Sequence, residues 1–178
     1  EAEVREVLGD KIYGVDVPSL EAVALALLTE KGITFGTAES CSGGLIAKRV
    51  TDLPGASKVL KGGVVCYTND VKERLLGVPA ALIAEHSPVS APVAEAMAKG
   101  AREALHCDVA VSTTGVAGPG PDEYGNPVGM IFVALAAPEG TVVKELKSGL
   151  PTRDQVRLAA AQFGLDMLRR YLTGLLKF

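Results

Sequence analysis

ITFGTAESCSGGLIAKRVTD, residues 33–52, reads as a strand that runs into a helix through a glycine hinge. Ile33 to Ala38 is a short apolar run behind Gly32, of the length and composition of a buried strand. Gly43-Gly44 then open a helix that continues to about Asp52, ahead of the breaker pair Pro54-Gly55. A strand feeding directly into a helix is the building unit of α/β proteins.

The flanking sequence repeats this alternation. Upstream, Pro18-Ser19 start a helix with Ser19 as N-cap, apolar positions through Leu28 and Gly32 at its close. Downstream, KGGVVCY (61–67) is a second strand. Asn69 then caps a short helix, Val71 to Leu76, closed by Gly77, and a turn follows at His86 to Pro88. Ser90 caps a long helix with Val93, Met97, Ala101 and Leu105 on one face. Val109 to Thr113 is a third strand, followed by a Gly/Pro-rich loop from Gly115 to Gly129. Met130–Ala137 and Val142–Lys147 form a hairpin about Glu139-Gly140.

The last helix opens with Thr152 and Gln155 at capping-box spacing. Its stripe runs through Val156, Ala159, Phe163, Met167, Tyr171 and Leu175. The expected fold is therefore a three-layer α/β/α sandwich over residues 18–178. Its sheet should be mixed and mainly parallel, with a late antiparallel hairpin. Residues 1–17 are polar and mixed, and read as a linker, short helix or N-terminal extension.

Composition narrows the function. Of 178 residues 48% are hydrophobic but only 4% aromatic, so Ala, Val, Leu and Gly fill the interior, as closely packed helix-on-sheet layers require. A net charge of -3 argues against nucleic-acid binding, which needs a Lys/Arg excess, while leaving room for a small anionic ligand. The three scattered cysteines, Cys41, Cys66 and Cys107, form neither a disulfide framework nor a CxxC metal or redox pair. With no signal peptide and no membrane-length apolar run, the cytoplasm is the default expectation. No metal-ligand cluster and no cofactor motif stands out. A homo-oligomer stays open, since small α/β domains often self-associate.

The chemistry concentrates where the first strand ends. In TAESCSGG (37–44) a hydroxyl and a thiol precede two glycines at a helix start. Free N–H groups there can hold an oxyanion or phosphate, and glycine lets a substrate approach the backbone. Ser40 is the candidate nucleophile, with Cys41, Ser42, Gly43 and Gly44 around the substrate. An ordinary strand-to-helix turn capped by Ser40 or Ser42 explains the same pattern equally well, and G-x-S-x-G is absent.

A serine needs a base. Of the two histidines, His106 falls at a helix C-terminus, where a cation complements the dipole, and His86 lies in a turn. Lys72 falls in the first turn of its helix, where the dipole disfavours a positive charge, so a lysine there calls for another reason. Tyr67, five residues before it, is placed to share a proton network. A solvated surface lysine is the competing explanation. A Cys41 nucleophile with a histidine base is the rival mechanism.

STTGVAGPG (112–120) sets hydroxyls and glycines at a strand end, with Thr114 and Gly115 as substrate-binding candidates. It is neither a Walker A loop nor a dinucleotide fingerprint. Arg153, in the first turn of the last helix, suits an anionic ligand or a surface ion pair.

In combination, TAESCSGG, VVCYTNDVKERLLGV, HSPVSAPVAEAMAKGAREAL, VAVSTTGVAGPGP, PVGMIFVALA and TRDQVR resemble the C-terminal domain of the competence/damage-inducible CinA family, from about Leu8 to Leu172. Ser42 stands where members commonly carry Thr, one hydroxyl for another. The resemblance implies a nicotinamide-nucleotide amidase that converts nicotinamide mononucleotide to nicotinate mononucleotide and ammonia. It places the nucleophile on Ser40, proton transfer on Lys72 and Tyr67, and Thr114 and Arg153 around the substrate. The opening REVLGDKIYG resembles the junction that follows an N-terminal domain in two-domain members, which implies that residues 1–17 are the remnant of such a junction and leaves an N-terminal domain in a longer chain open, without that domain's pyrophosphatase-type activity in residues 1–178. The alternative is a non-catalytic nucleotide-binding or regulatory domain.

Overall fold

The computed structural model describes residues 2–178. Five strands form one sheet in the order β2-β1-β3-β4-β5: β1 Phe35–Glu39, β2 Leu60–Val65, β3 Val109–Gly115, β4 Met130–Ala137 and β5 Gly140–Lys147. β1 pairs in parallel with β2 and with β3, whereas β4 is antiparallel to both β3 and β5. Only β4 therefore runs against the other four, which is the mixed, mainly parallel sheet with a late hairpin that the alternation predicts.

The helices divide between the two faces. α2 (Leu20–Lys31), α3 (Leu45–Thr51) and α7 (Arg153–Leu172) pack together on one side, and α4 (Asn69–Leu76), α5 (Ala80–His86) and α6 (Ala91–Ala104) on the other. The first face buries Leu28, Phe35, Ile46, Val111, Leu135, Leu165 and Leu168. The second buries Leu76, Ile83, Val93, Met97 and Cys107. Each large side chain taken from water this way stabilises the fold by about 1.5–3 kcal/mol before conformational entropy is counted. Small residues let the layers close. At Gly100 an added Cβ would fall 1.9 Å from the Leu76 carbonyl oxygen, so this glycine sets how near α4 lies to α6.

Several local expectations move. Ser19 does cap α2, its hydroxyl accepting from Ala22 N at 3.3 Å. The cap of α4 is Thr68 and not Asn69, with no side-chain capping bond, because the Thr68 hydroxyl turns to Asp70. Ser90 occupies the cap position of α6 but donates to Ser87 O instead. α5 is not anticipated from sequence: seven residues with Ile83 as their one buried side chain show too little periodicity to read.

The α7 stripe also shifts. Its buried face runs through Val156, Ala160, Gly164, Leu168 and Leu172, while Ala159, Phe163 and Tyr171 are half-buried and Leu175 lies beyond the helix. The sheet beneath it and α2 and α3 beside it all pack on this helix, so its buried sector is wider than a single stripe. Within residues 1–17 the structure has a helix, α1 (Ala2–Leu8), and a 3-10 turn (Gly9–Lys11). The turn is fastened to α7: Arg169 donates to Asp10 O at 2.8 Å, and Arg170 to the Asp10 carboxylate at 2.6 Å.

Candidate active site

Ser40 lies one residue past β1, on the rim where the parallel strands β2, β1 and β3 end. The crevice outside the carboxyl ends of such strands is where open α/β sheets bind ligands. Strand geometry persists up to Ser40, whose N–H donates to Thr113 O at 2.9 Å. The chain then turns sharply. Gly43 N–H returns to Ser40 O at 3.1 Å, and Gly44, at φ 92°, leads into α3. A left-handed backbone there strains any residue with a Cβ, so glycine is required by geometry.

Beneath the turn lies Glu39, a carboxylate with 0% exposure. It accepts from Ser42 Oγ at 2.7 Å, from Ile46 N at 3.0 Å and from Ala47 N at 2.9 Å. Ser42 Oγ is also 2.7 Å from Thr113 Oγ1 on β3. The negative end of this network meets the free N–H groups that open α3, which is what makes a buried carboxylate tolerable.

Lys72 reaches the site from α4. Its amine, on a side chain 2% exposed, donates to Cys66 O at 3.0 Å and to Ser40 Oγ at 3.3 Å. Among the described residues no carboxylate pairs with it. Burial therefore lowers its pKa from the ordinary 10.5. The opposing influences are the Cys66 and Cys41 thiols, which act only when ionised. Burial pushes Cys66 up to about 11 and Cys41 up to about 12, so both are neutral thiols near pH 7.

Ser40, Cys41 and Lys72 form the buried end of a cavity of about 540 Å³. Its walls are Pro88 and Val89 on one loop and Gly115 to Gly118 on another. Tyr67, Tyr124 and Arg153 stand at the exposed rim. Arg153 spans that rim, donating to the Tyr67 hydroxyl at 2.7 Å and to Gly118 O at 2.8 Å. The outer loop is ordered by Asp122, whose carboxylate accepts from the N–H of Tyr124 and Asn126 and from the Asn126 side chain. Asn126 in turn donates to Ser87 Oγ at 3.2 Å, joining this loop to the Pro88–Val89 wall.

Ser40, Cys41, Lys72, Tyr67, Gly115 and Arg153, all singled out from sequence, thus meet in one cavity. The other four do not line it. Ser42 is turned inward to Glu39 and Thr113. Gly43 and Gly44 border a separate groove with Lys48, Arg49 and Arg157. Thr114, 1% exposed, donates to Pro88 O at 2.7 Å and so holds a wall of the cavity. Tyr67 also departs from expectation: its hydroxyl pairs with Arg153, not with Lys72. Neither histidine lines the cavity, which leaves a Cys41 nucleophile without its base. Glu39 escaped the sequence reading, although a carboxylate inside an otherwise uncharged strand, FGTAE, is itself a signal, since a buried strand holds a charge only with partners.

Comparison with known proteins agrees with this architecture. Residues 17–172 match the family model described as the CinA C-terminal domain. A CinA-like protein of Geobacter sulfurreducens is 47% identical over 95% of this chain and 41% of its own length. The chain thus spans about two-fifths of the length of the curated relatives it matches. The competence/damage-inducible protein CihA from Agrobacterium tumefaciens superposes with a TM-score of 0.83 at 36% identity, covering 91% of this chain and 98% of that one. A CinA superfamily protein from Klebsiella pneumoniae gives a TM-score of 0.84 at 26% identity, covering 87% and 96%.

Proposed function

The chain belongs to the CinA C-terminal domain family, and from that premise we propose that it is an amidohydrolase converting nicotinamide mononucleotide to nicotinate mononucleotide and ammonia, with Ser40 as nucleophile. The observation that carries this reading is the 3.3 Å contact between Lys72 Nζ and Ser40 Oγ, made by a buried amine with no acidic partner among the described residues. Burial lowers the pKa of a lysine so placed, so its neutral amine, the form that can take a proton, persists to lower pH than that of a solvated lysine.

The proposed reaction has two acyl-transfer steps. Neutral Lys72 removes the Ser40 proton as Oγ attacks the carboxamide carbon. The oxyanion develops over the start of the turn, where the Cys41 N–H is the first backbone donor after the nucleophile; one such donor is commonly worth about 3–4 kcal/mol. Protonated Lys72 returns the proton to the leaving nitrogen, and ammonia departs. Water, deprotonated by the same amine, then cleaves the acyl-enzyme to the acid. Arg153, at the rim beside Tyr67, offers the substrate phosphate a forked donor when it exchanges its present oxygens for phosphate oxygens.

The test is ammonia release from nicotinamide mononucleotide by the purified chain, with Ser40→Ala as control. Release by the wild type and none by the variant is the expected result. No release above blank at high enzyme concentration, with binding retained, would leave a nucleotide-binding module instead.

A further inference from the structure

We propose that Glu39 is a positioning residue for the nucleophile: its carboxylate clamps the Ser40–Gly44 turn and so aims Ser40 Oγ at Lys72. The proposal rests on the reading of Ser40 above. Its substance is where the three bonds land. Glu39 precedes Ser40, yet it binds groups three, seven and eight residues ahead, at Ser42, Ile46 and Ala47, so every bond closes a ring of chain around Ser40. A helix cap needs only a local side chain from the residue before the helix, and Gly44 there has none.

The second anchor is Thr113. Its carbonyl takes the Ser40 N–H, and its hydroxyl contacts Ser42 Oγ, which itself donates to Glu39. Ser40 is thereby held to β3 directly and through the Glu39–Ser42 pair. The turn contains two adjacent left-handed glycines, Gly43 at φ 63° and Gly44 at φ 92°, and its backbone would otherwise be free to swing. Glu39 is wholly buried and absent from the cavity lining, so it does not touch the substrate, and the hydrogen bonds of its carboxylate all go to the turn and the start of α3.

Glu39→Gln keeps the shape but replaces one acceptor oxygen by a donor, facing donors already present. The expected result is a kcat about 10- to 100-fold lower, the scale of a nucleophile displaced by up to about 1 Å, with KM within about twofold. Labelling of Ser40 by a fluorophosphonate, which needs no amide substrate, should slow by a similar factor, while the acid limb of the pH–rate profile, set by Lys72, stays in place. Ser42→Ala should move both readouts in the same direction by less. Ser112→Ala, which removes an equally buried hydroxyl bonded to Ala94 O, is the stability control and should lower Tm without slowing labelling. A folded Glu39→Gln that labels within about twofold of wild type overturns the proposal, as does an equal slowing in Ser112→Ala. Should Glu39→Gln not fold, unchanged labelling in Ser42→Ala overturns it. A wild type that neither labels at Ser40 nor releases ammonia removes the nucleophile reading and this inference together; wild-type labelling without ammonia release removes only the substrate.

Discussion

Lys72 Nζ stands 3.3 Å from Ser40 Oγ, two side chains 32 residues apart in sequence that meet across the ends of β1 and α4. The amine has two oxygens for company, Ser40 Oγ and Cys66 O, and burial disfavours its charge. A buried lysine held for stability alone is normally paired with a carboxylate, and among the described residues none pairs with Lys72. Burial of an unpaired amine weakens the fold locally, and in the proposed reaction the same amine is the base.

The first consequence is a pH dependence. A neutral amine is required, so kcat/KM should rise with pH along a limb whose midpoint lies below 10.5, the ordinary lysine value. For stability the sign is the same. Above 10.5 folded and unfolded states are both neutral at this position, and as pH falls toward the folded pKa only the unfolded state gains the proton, so stability declines through that window. Lys72→Met should abolish activity yet raise Tm near neutral pH by about 2–4 °C, the shift expected for about 1 kcal/mol in a chain of this size. Calorimetry beside the activity assay checks both halves.

The two neighbours Ser40 and Cys41 should separate cleanly. Cys41 is 4% exposed with a thiol pushed up to about 12, and no histidine lines its cavity. Cys41→Ala should keep activity within about tenfold, whereas Ser40→Ala should lose at least about 1000-fold, as when a nucleophile acting in a unit is removed. Steady-state kinetics on the two variants measure the contrast.

These residues also mark how far the sequence could be read. The strand-to-helix turn of TAESCSGG was legible because glycine and hydroxyl residues have few other uses at that junction, and Lys72 because its helix position is electrostatically wrong for a surface lysine. What stayed hidden was side-chain direction. Ser42 and Thr114 carry the right groups at the right depth but turn inward, Ser42 to Glu39 and to Thr113, 71 residues on, and Thr114 to Pro88, 26 residues back. Tyr67 was placed near Lys72 by spacing, whereas Arg153, 86 residues on, claims its hydroxyl. The short α5 lacked the length to show a period, and the α7 stripe shifted because the sheet and the flanking helices α2 and α3 all pack on that helix.

Arg153 and Tyr67 form a rim whose geometry depends on a forked donor. Arg153→Lys keeps the charge but cannot hold the Tyr67 hydroxyl and Gly118 O together. KM for the nucleotide should rise about tenfold with a smaller change in kcat, and Tyr67→Phe should do the same to a lesser degree. Equal loss in kcat alone would place these residues in proton transfer.

Gly100 is the remote position that should matter most for Lys72. With the Leu76 carbonyl 1.9 Å from where a Cβ would lie, Gly100→Ala must push α4 off α6. Overpacking of this kind costs about 1–3 kcal/mol, and the shift should also draw Lys72 from Ser40 and lower kcat. Thermal melts together with kcat at a temperature where the variant is fully folded check the pair of effects.

The acyl-enzyme itself offers the most direct test of a serine nucleophile with Lys72 as base. Nicotinamide mononucleotide mixed with the protein, acid-quenched within one turnover and mapped by peptide mass spectrometry should yield an acyl ester on the peptide containing Ser40, specifically on its hydroxyl, and none in Lys72→Met. An adduct on the Cys41 thiol, or undiminished ester formation in Lys72→Met, would contradict the account.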